Sequence, residues 1–183
     1  SDETNRDLKY AQYDGTWHIE TVDSAGDVGI LPSLALDSAD NPHISYSDET
    51  NRDLKYARYD GAWHIETVDS LGYAGQHHSL ALAADSTPRI CYYDQANHDL
   101  KYAIRTVASS TSSSAATSTS STPATTSVPP SSSTTTAPGS TSTSSIPGLD
   151  AWQSAAVDRT GDVGQFTSLA LDSGGNPHIS YYD

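Results

Sequence analysis

Apolar and polar residues alternate along this chain in short runs. "SLALD" at 33–37 places Leu34 and Leu36 on one side, and "PHISYSD" at 42–48 does the same with Ile44 and Tyr46. "DLKYARYD" at 53–60 alternates Leu54 and Tyr56, and "WHIETV" at 63–68 begins with Trp63 and Ile65 in the same rhythm. A period of two in segments rich in Ile, Val, Tyr and Trp predicts half-buried β-strands. The intervening stretches "DSADNP", "DETNRD", "YDGAW" and "DSLGYAG" carry turn chemistry. No window has a convincing helical period, so the pattern predicts an all-β chain.

The four-strand unit repeats. "SDETNRDLKYAQYDGTWHIETVDS" opens the chain and returns from Ser47, altered only at Gln12/Arg58 and Thr16/Ala62. The period is 46 residues: Trp17 maps to Trp63, Gly29 to Gly75, Ser33 to Ser79 and Tyr46 to Tyr92. A third copy follows Trp152, with Val157, Gly164, Ser168, Pro177 and Tyr181 at the same offsets. "GDVG" recurs at 26–29 and 161–164, "SLALDS" at 33–38 and 168–173, and "NPHISY" at 41–46 and 176–181. A unit of four short strands in the forties of residues predicts a blade of a β-propeller-type repeat.

These motifs resemble bacterial and archaeal extracellular β-propeller repeats of the form "SLALDS…NPHISYYD…DLKYA…DGxW". The likeness covers everything but a central interruption. It is similar to NHL-type four-stranded blades, and that likeness implies that "SLALD" lies innermost and the Trp strand outermost. The GH…WD signature of WD40 blades is missing.

With that strand order the chain holds three blades' worth of strands. Residues 1–106 comprise a half-blade at 1–23, a blade at 33–69 and most of a blade at 79–103. Residues 107–147 form a Ser/Thr/Pro-rich linker. Residues 148–183 supply the remaining outer strand and a C-terminal half-blade. The first half-blade has outer strands and the last has inner strands, so each is expected to complete the other, within one chain or between chains. Three blades are few for a ring, and open sheet edges invite pairing. Exchange between molecules is therefore the favoured expectation, with Leu8 and Tyr10 on one strand and Ile179 and Tyr181 on its acceptor. The opening, without a Met or a signal-peptide pattern, is expected of a mature, processed or excised chain.

Ala57 precedes Trp63 by six residues, whereas Ala103 precedes Trp152 by 49. The 43 extra residues are almost all Ser, Thr, Ala and Pro, with no charge or aromatic side chain between Ser109 and Ser145. Such a segment cannot bury enough apolar surface to offset its ordering entropy. Its composition predicts a mucin-like, O-glycosylated stalk. Candidate acceptors are Thr106, Ser109, Ser110, Thr111, Thr117, Thr119, Thr122, Thr125, Thr126, Ser127, Thr134, Thr135, Thr136, Thr141 and Thr143. No Asn-x-Ser/Thr sequon occurs in the chain, so attached glycan is expected to be O-linked. The insertion also leaves the strand at 152–157 the slack to reach a second subunit.

Charge narrows the partners. Twenty-three Asp and Glu against nine Lys and Arg give a net charge of −14. That argues against nucleic acid and anionic membrane surfaces, both of which require basic clusters. No apolar run reaches the length of a membrane span. The single Cys91 forms no intrachain framework and occupies the slot of Ser45 and Ser180, where a small buried strand residue is expected.

Candidate chemistry is sparse. His18 and His64 are repeat-equivalent, as are His43 and His178, and His77 and His78 are adjacent; no spacing matches a zinc site. The acidic loops at 23–29, 37–41 and 158–164 resemble fragments of calcium loops without the EF-hand order of ligands. Turn capping by Asp and Asn is favoured over Ca2+, and no cofactor is expected. "YDGTW" and "YDGAW" resemble the sialidase Asp-box superficially, but its serine and spacing are missing. The acids recur blade by blade, so no catalytic carboxylate pair is assigned and no enzyme is expected. The expected function is an extracellular or cell-surface structural subunit that assembles with itself into a filament or coat and carries glycan. The alternative is a secreted carbohydrate- or protein-binding propeller, with Tyr, Trp and Asn in its loops for sugars.

Overall fold

The computed structural model describes residues 6–106 and 151–183, which form twelve β-strands and no helix. β1 (Leu8–Tyr13) and β2 (Trp17–Asp23) make a two-stranded sheet. β3 (Val28–Leu36), β4 (Pro42–Asp48), β5 (Asp53–Tyr59) and β6 (Trp63–Asp69) follow as an antiparallel sheet of four in chain order. β7 (Ala74–Leu82), β8 (Pro88–Asp94), β9 (Asp99–Thr106) and β10 (Ala151–Asp158) make a second. β11 (Gln165–Leu171) and β12 (Pro177–Tyr182) close the chain as another pair. The all-β class and the four-strand unit are thus present.

The alternating segments sit where the pattern placed them, with one difference. The strand expected at 33–37 starts at Val28. Gly29 and Leu31 adopt left-handed φ of 78° and 52°, and the β3–β4 register shifts on both sides of Ile30. Bulges of this kind break alternation, which hides the first half of the strand from a period-two reading. Gly75 with His77 in β7, and Gly164 just before β11 with Phe166 within it, repeat the device.

The sheets pack in series. Leu8, Tyr10 and Val22 of the first sheet meet Val28, Ile44, Tyr46, Ala57 and Trp63 of the second. Leu54, Tyr56 and Val68 of that sheet meet Ala74, Leu80, Ile90, Tyr92, Ala103 and Trp152 of the third. Each junction seats a glycine on a leucine. A Cβ on Gly29, Gly75 or Gly164 would lie 2.6, 3.0 or 2.8 Å from the Cα of Leu8, Leu54 or Leu100. All three leucines are completely buried, and each such burial contributes about 1.5–3 kcal/mol. β3, β7 and β11 also touch in turn: Ser33 Oγ accepts from Leu80 N at 3.1 Å, and Ser79 Oγ from Leu169 N at 3.1 Å.

β10 pairs with β9 of its own chain, Trp152 opposite Arg105 and Ala151 opposite Thr106. The outer strand that the repeat assigns to the blade at 79–103 thus completes it within the same chain. Besides the ladder, Glu66 holds this strand in place, accepting from Trp152 Nε1 at 3.1 Å and from Arg105 Nε at 2.9 Å. Between β9 and β10 the insertion takes the place that a tight turn holds between β5 and β6, and it leaves and re-enters at the directly paired Thr106 and Ala151.

Candidate assembly interface

The recurring polar feature is a buried tyrosine–aspartate–lysine cluster between consecutive sheets. Tyr46 lies on β4 and Lys55 opposite it on β5. The Tyr46 hydroxyl donates to Asp23 of the preceding sheet at 2.7 Å. Lys55 Nζ lies 2.8 Å from Asp48 and 3.7 Å from Asp23. Burial works against the Lys55 charge, yet the two carboxylates raise its pKa above the usual lysine value. Burial also opposes ionisation of Asp48, but Lys55 and Asn51 hold its carboxyl below the usual range. Burial and Asp23 together push the Tyr46 phenol far up, so it stays a donor.

The cluster recurs one sheet later. Tyr92 donates to Asp69 at 2.6 Å, and Lys101 contacts Asp69 and lies 3.5 Å from Asp94. At the third position Tyr181 donates to Asp158 at 2.8 Å, and Asp183 occupies the slot of Asp48 and Asp94. No lysine reaches this pair among the described residues. Asp158 is held below its usual pKa by the Thr160 amide first and by Tyr181 second. The sequence contains three lysines, all at this one repeat position. The third, Lys9, lies on β1 at the far end of the series, 2.6 Å from Thr21 Oγ1 and 3.4 Å from Asp7.

β12 is the open edge beside that incomplete cluster. It pairs only with β11 among the described residues. "PHISY" occurs identically at 42–46 and 177–181. On β4 every one of these residues is buried; on β12 none is, with only Ile179 half-buried. Tyr46 is 0% exposed and Tyr181 39%. β1 is the matching open edge: Ala57 and Ala103 are completely buried, whereas their counterpart Ala11 is exposed. Trp17 and Ile19 on the same face are 67% and 71% exposed.

The four residues expected to assemble are distributed unequally. Leu8 is already buried against Gly29 of its own chain. Tyr10 lies edge-on to Trp63 with ring centroids 5.5 Å apart. Ile179 pairs with Leu169, and Tyr181 is committed to Asp158. The chain does not bring the β1 pair and the β12 pair together. The sequence placed Trp17 at a repeat position and Asp158 in a turn loop, and neither they nor Lys9 were assigned to assembly. For Lys9 the signal was present: every lysine of a strongly acidic chain stands at one repeat slot.

The remaining candidates fall into structural roles. Asp37, Asp85, Asp158 and Asp172 accept from amides two residues ahead, as turn caps do. Asn41 and Asn176 add side-chain bonds to the same carboxylates. Among the described residues no three His, Cys, Asp or Glu side chains converge as metal ligands would. His43 Nδ1 meets the Tyr56 hydroxyl, and His78 Nδ1 bonds the Gly75 carbonyl at 2.6 Å. His77 packs at a tilt against Phe166, ring centroids 4.4 Å apart. Cys91 is fully buried, and burial raises its thiol pKa. Thr106 donates its hydroxyl to the Ala151 carbonyl at 2.9 Å, fixing the base of the insertion. The other O-glycosylation candidates, Ser109 to Thr143, lie outside the described residues. No helix among the described residues is long and apolar enough to cross a membrane.

No protein-family model matches the chain. No curated protein matches it either.

Proposed function

We propose that the chain is an extracellular structural subunit, O-glycosylated, that assembles with itself by β-strand complementation into a filament or surface coat. One observation carries this reading: the same pentapeptide "PHISY" is wholly buried on β4 and exposed on β12. β4 owes its burial to β5 on one side and to the sheets packed against it, and β12 lacks the strand that corresponds to β5. That strand type, Asp-Leu-Lys-Tyr-Ala, stands at 7–11 with its own edge open. Four-stranded sheets in series, with β3, β7 and β11 touching in turn, support treating each sheet as a propeller-type blade and these strands as innermost. β1–β2 of one copy then completes β11–β12 of the next, a heterologous joint that propagates. The role involves no catalytic step.

The insertion fits that role as the glycan carrier. It emerges from the tip of the β9–β10 hairpin, and the equivalent tip at Asp60–Ala62 is exposed. Sugar would thus stand clear of the joining edges.

Sedimentation velocity and electron micrographs of the 183-residue chain test the assembly. Species of two copies and more, growing with concentration, are expected, and a monomer at every concentration overturns the reading. Intact mass tests the glycan: native material should exceed the 19.4 kDa polypeptide by many hexose units.

A second reading, binding of a carbohydrate or protein, draws on a cleft of about 500 Å³ lined by Arg58, Asp85, Ser86, Thr87 and Arg105. Guanidinium donors beside a carboxylate and hydroxyls suit the hydroxyls of a sugar. Calorimetric titration with acidic and neutral oligosaccharides distinguishes it, because assembly alone produces no saturable heat.

A further inference from the structure

We infer that Lys9 of one copy completes the Tyr181–Asp158–Asp183 cluster of another, and that this contact fixes the single register in which β12 receives β1. The inference rests on the assembly reading above and adds to it the residues that specify the joint.

The two internal sheets show what the joint lacks. β4 and β5 pair Tyr46 with Lys55, and β8 and β9 pair Tyr92 with Lys101. Carrying that ladder over by the repeat sets Tyr181 opposite Lys9, Ser180 opposite Tyr10, Ile179 opposite Ala11 and His178 opposite Gln12. Asp158 and Asp183 then stand to Lys9 as Asp23 and Asp48 stand to Lys55. Three Tyr–Asp pairs and three lysines exist, and within one chain only two of each meet. The Tyr–Asp pair without a lysine is at one open edge, and the lysine without a Tyr–Asp pair, held by Asp7 and Thr21, is at the other. A register slip of one residue would turn Lys9 to the opposite face of the sheet. A slip of two would leave it opposite Ile179 or Asp183 rather than the tyrosine.

Two aromatic and polar contacts fall into place in the same register. Tyr10 and Tyr56 each meet a tryptophan edge-on, Trp63 at 5.5 Å and Trp152 at 5.1 Å. Tyr102 stands at their repeat position, and the tryptophan of the completed sheet would be Trp17 of the second copy. His178 would meet Tyr10 as His43 meets Tyr56. The joint therefore matches a built junction in charge, ring contact and hydrogen bonding. The occupant of the β12 edge is a second copy of this chain.

The test uses the full chain. Lys9→Glu should weaken assembly by about tenfold or more, as loss of a desolvated charge pair does, and Lys9→Arg should largely preserve it. In the single chain Lys9 is half-buried and meets Thr21 and Asp7, so the thermal melt of dilute Lys9→Glu protein should fall slightly, and that of Lys9→Gln, which should also weaken assembly, should fall less. Cysteines at Gln12 and His178 should form a disulfide between chains, and cysteines at Gln12 and Ser180, two residues out of register, should not. Cys91 is buried and does not interfere. Wild-type chains that assemble while Lys9→Glu assembles equally well overturn the register lock but leave complementation standing. Equal cross-linking of the slipped pair does the same. A 12–178 disulfide inside a single chain overturns the second-copy assignment. Wild-type chains that never assemble overturn both.

Discussion

The Tyr46 hydroxyl reaches from one sheet to the next and donates to Asp23 at 2.7 Å, within reach of the Lys55 ammonium 3.7 Å from the same carboxylate. The side chain of Asp23 is 5% exposed, so the tyrosine satisfies a group that water barely reaches. Tyr46→Phe leaves that carboxylate short of a donor and should cost about 1–3 kcal/mol in a urea melt of the monomer. Tyr181→Phe removes the same bond from an exposed edge, where water replaces the phenol. Its cost in the monomer should be clearly smaller, and the two variants compared side by side measure what completing the sheet adds. Equal losses would show that the Tyr–Asp bond does not depend on burial.

The glycine–leucine seats make a sharper comparison. Gly75 has φ 92°, and a Cβ there would lie 3.0 Å from the backbone of Leu54; Gly61 has φ 101° and nothing within 4 Å. Both alanine variants incur left-handed strain of about 1–2 kcal/mol. Only Gly75→Ala also pushes two sheets apart. Its melting temperature should fall well below that of Gly61→Ala, and similar values for the two would deny the seat its role in packing.

Much of this was legible in the sequence because the repeat writes each structural role several times. Four strands per unit, the junction glycines and the capping aspartates all follow from residues that recur at fixed offsets. The bulges at Leu31, His77 and Phe166 were not legible: residues with φ near 50° are of three unrelated types, so no residue signature marks them. The return of β10 to its own blade was legible, because the repeat sets Trp152 at the place of Trp63. The part of Glu66 was not: it holds Trp152 and Arg105 from a different sheet, which no repeat offset marks. The assembly residues were legible only in part. Alternation identified Leu8 as a strand residue, but it could not tell that Gly29 of the same chain already covers it.

Acid should destabilise the fold. Burial lowers the pKa of His43 despite Asp37, and burial lowers that of His78, both from about 6.5. A histidine held neutral in the folded state binds fewer protons than in the unfolded chain. The stability it allows is fully present above pH about 6.5 and declines as pH falls through that value. Asp48, held low by Lys55 and Asn51 against its burial, adds a further loss at lower pH as it protonates. Melting temperature measured at pH 8, 6.5 and 5 should decrease in that order. His78→Gln should flatten the upper part of the profile, and an unchanged slope in that variant would remove His78 from the account.

The last prediction concerns the insertion. Asp60, Gly61 and Ala62 form the tight turn between β5 and β6, with Asp60 N donating to the Ala62 carbonyl at 3.2 Å. Thr106 and Ala151 stand at the positions of Asp60 and Ala62, already paired across the hairpin. Replacing residues 107–150 by one glycine restores the same turn, Thr-Gly-Ala in place of Asp-Gly-Ala. Closing a loop of that length costs about 2 kcal/mol more than closing a tight turn, so the shortened chain should melt at a higher temperature. β10 should remain on β9, because Glu66, Arg105 and Trp152 hold it independently of the loop. Strand exchange at β1 and β12 lies elsewhere on the chain, so sedimentation should show assembly as in the parent. Hexose mass, by contrast, should fall in material made in the native host to what Thr106 alone can carry. A shortened chain that fails to assemble would tie the insertion to the joint, and one that keeps its full glycan mass would move the sugar to another part of the chain.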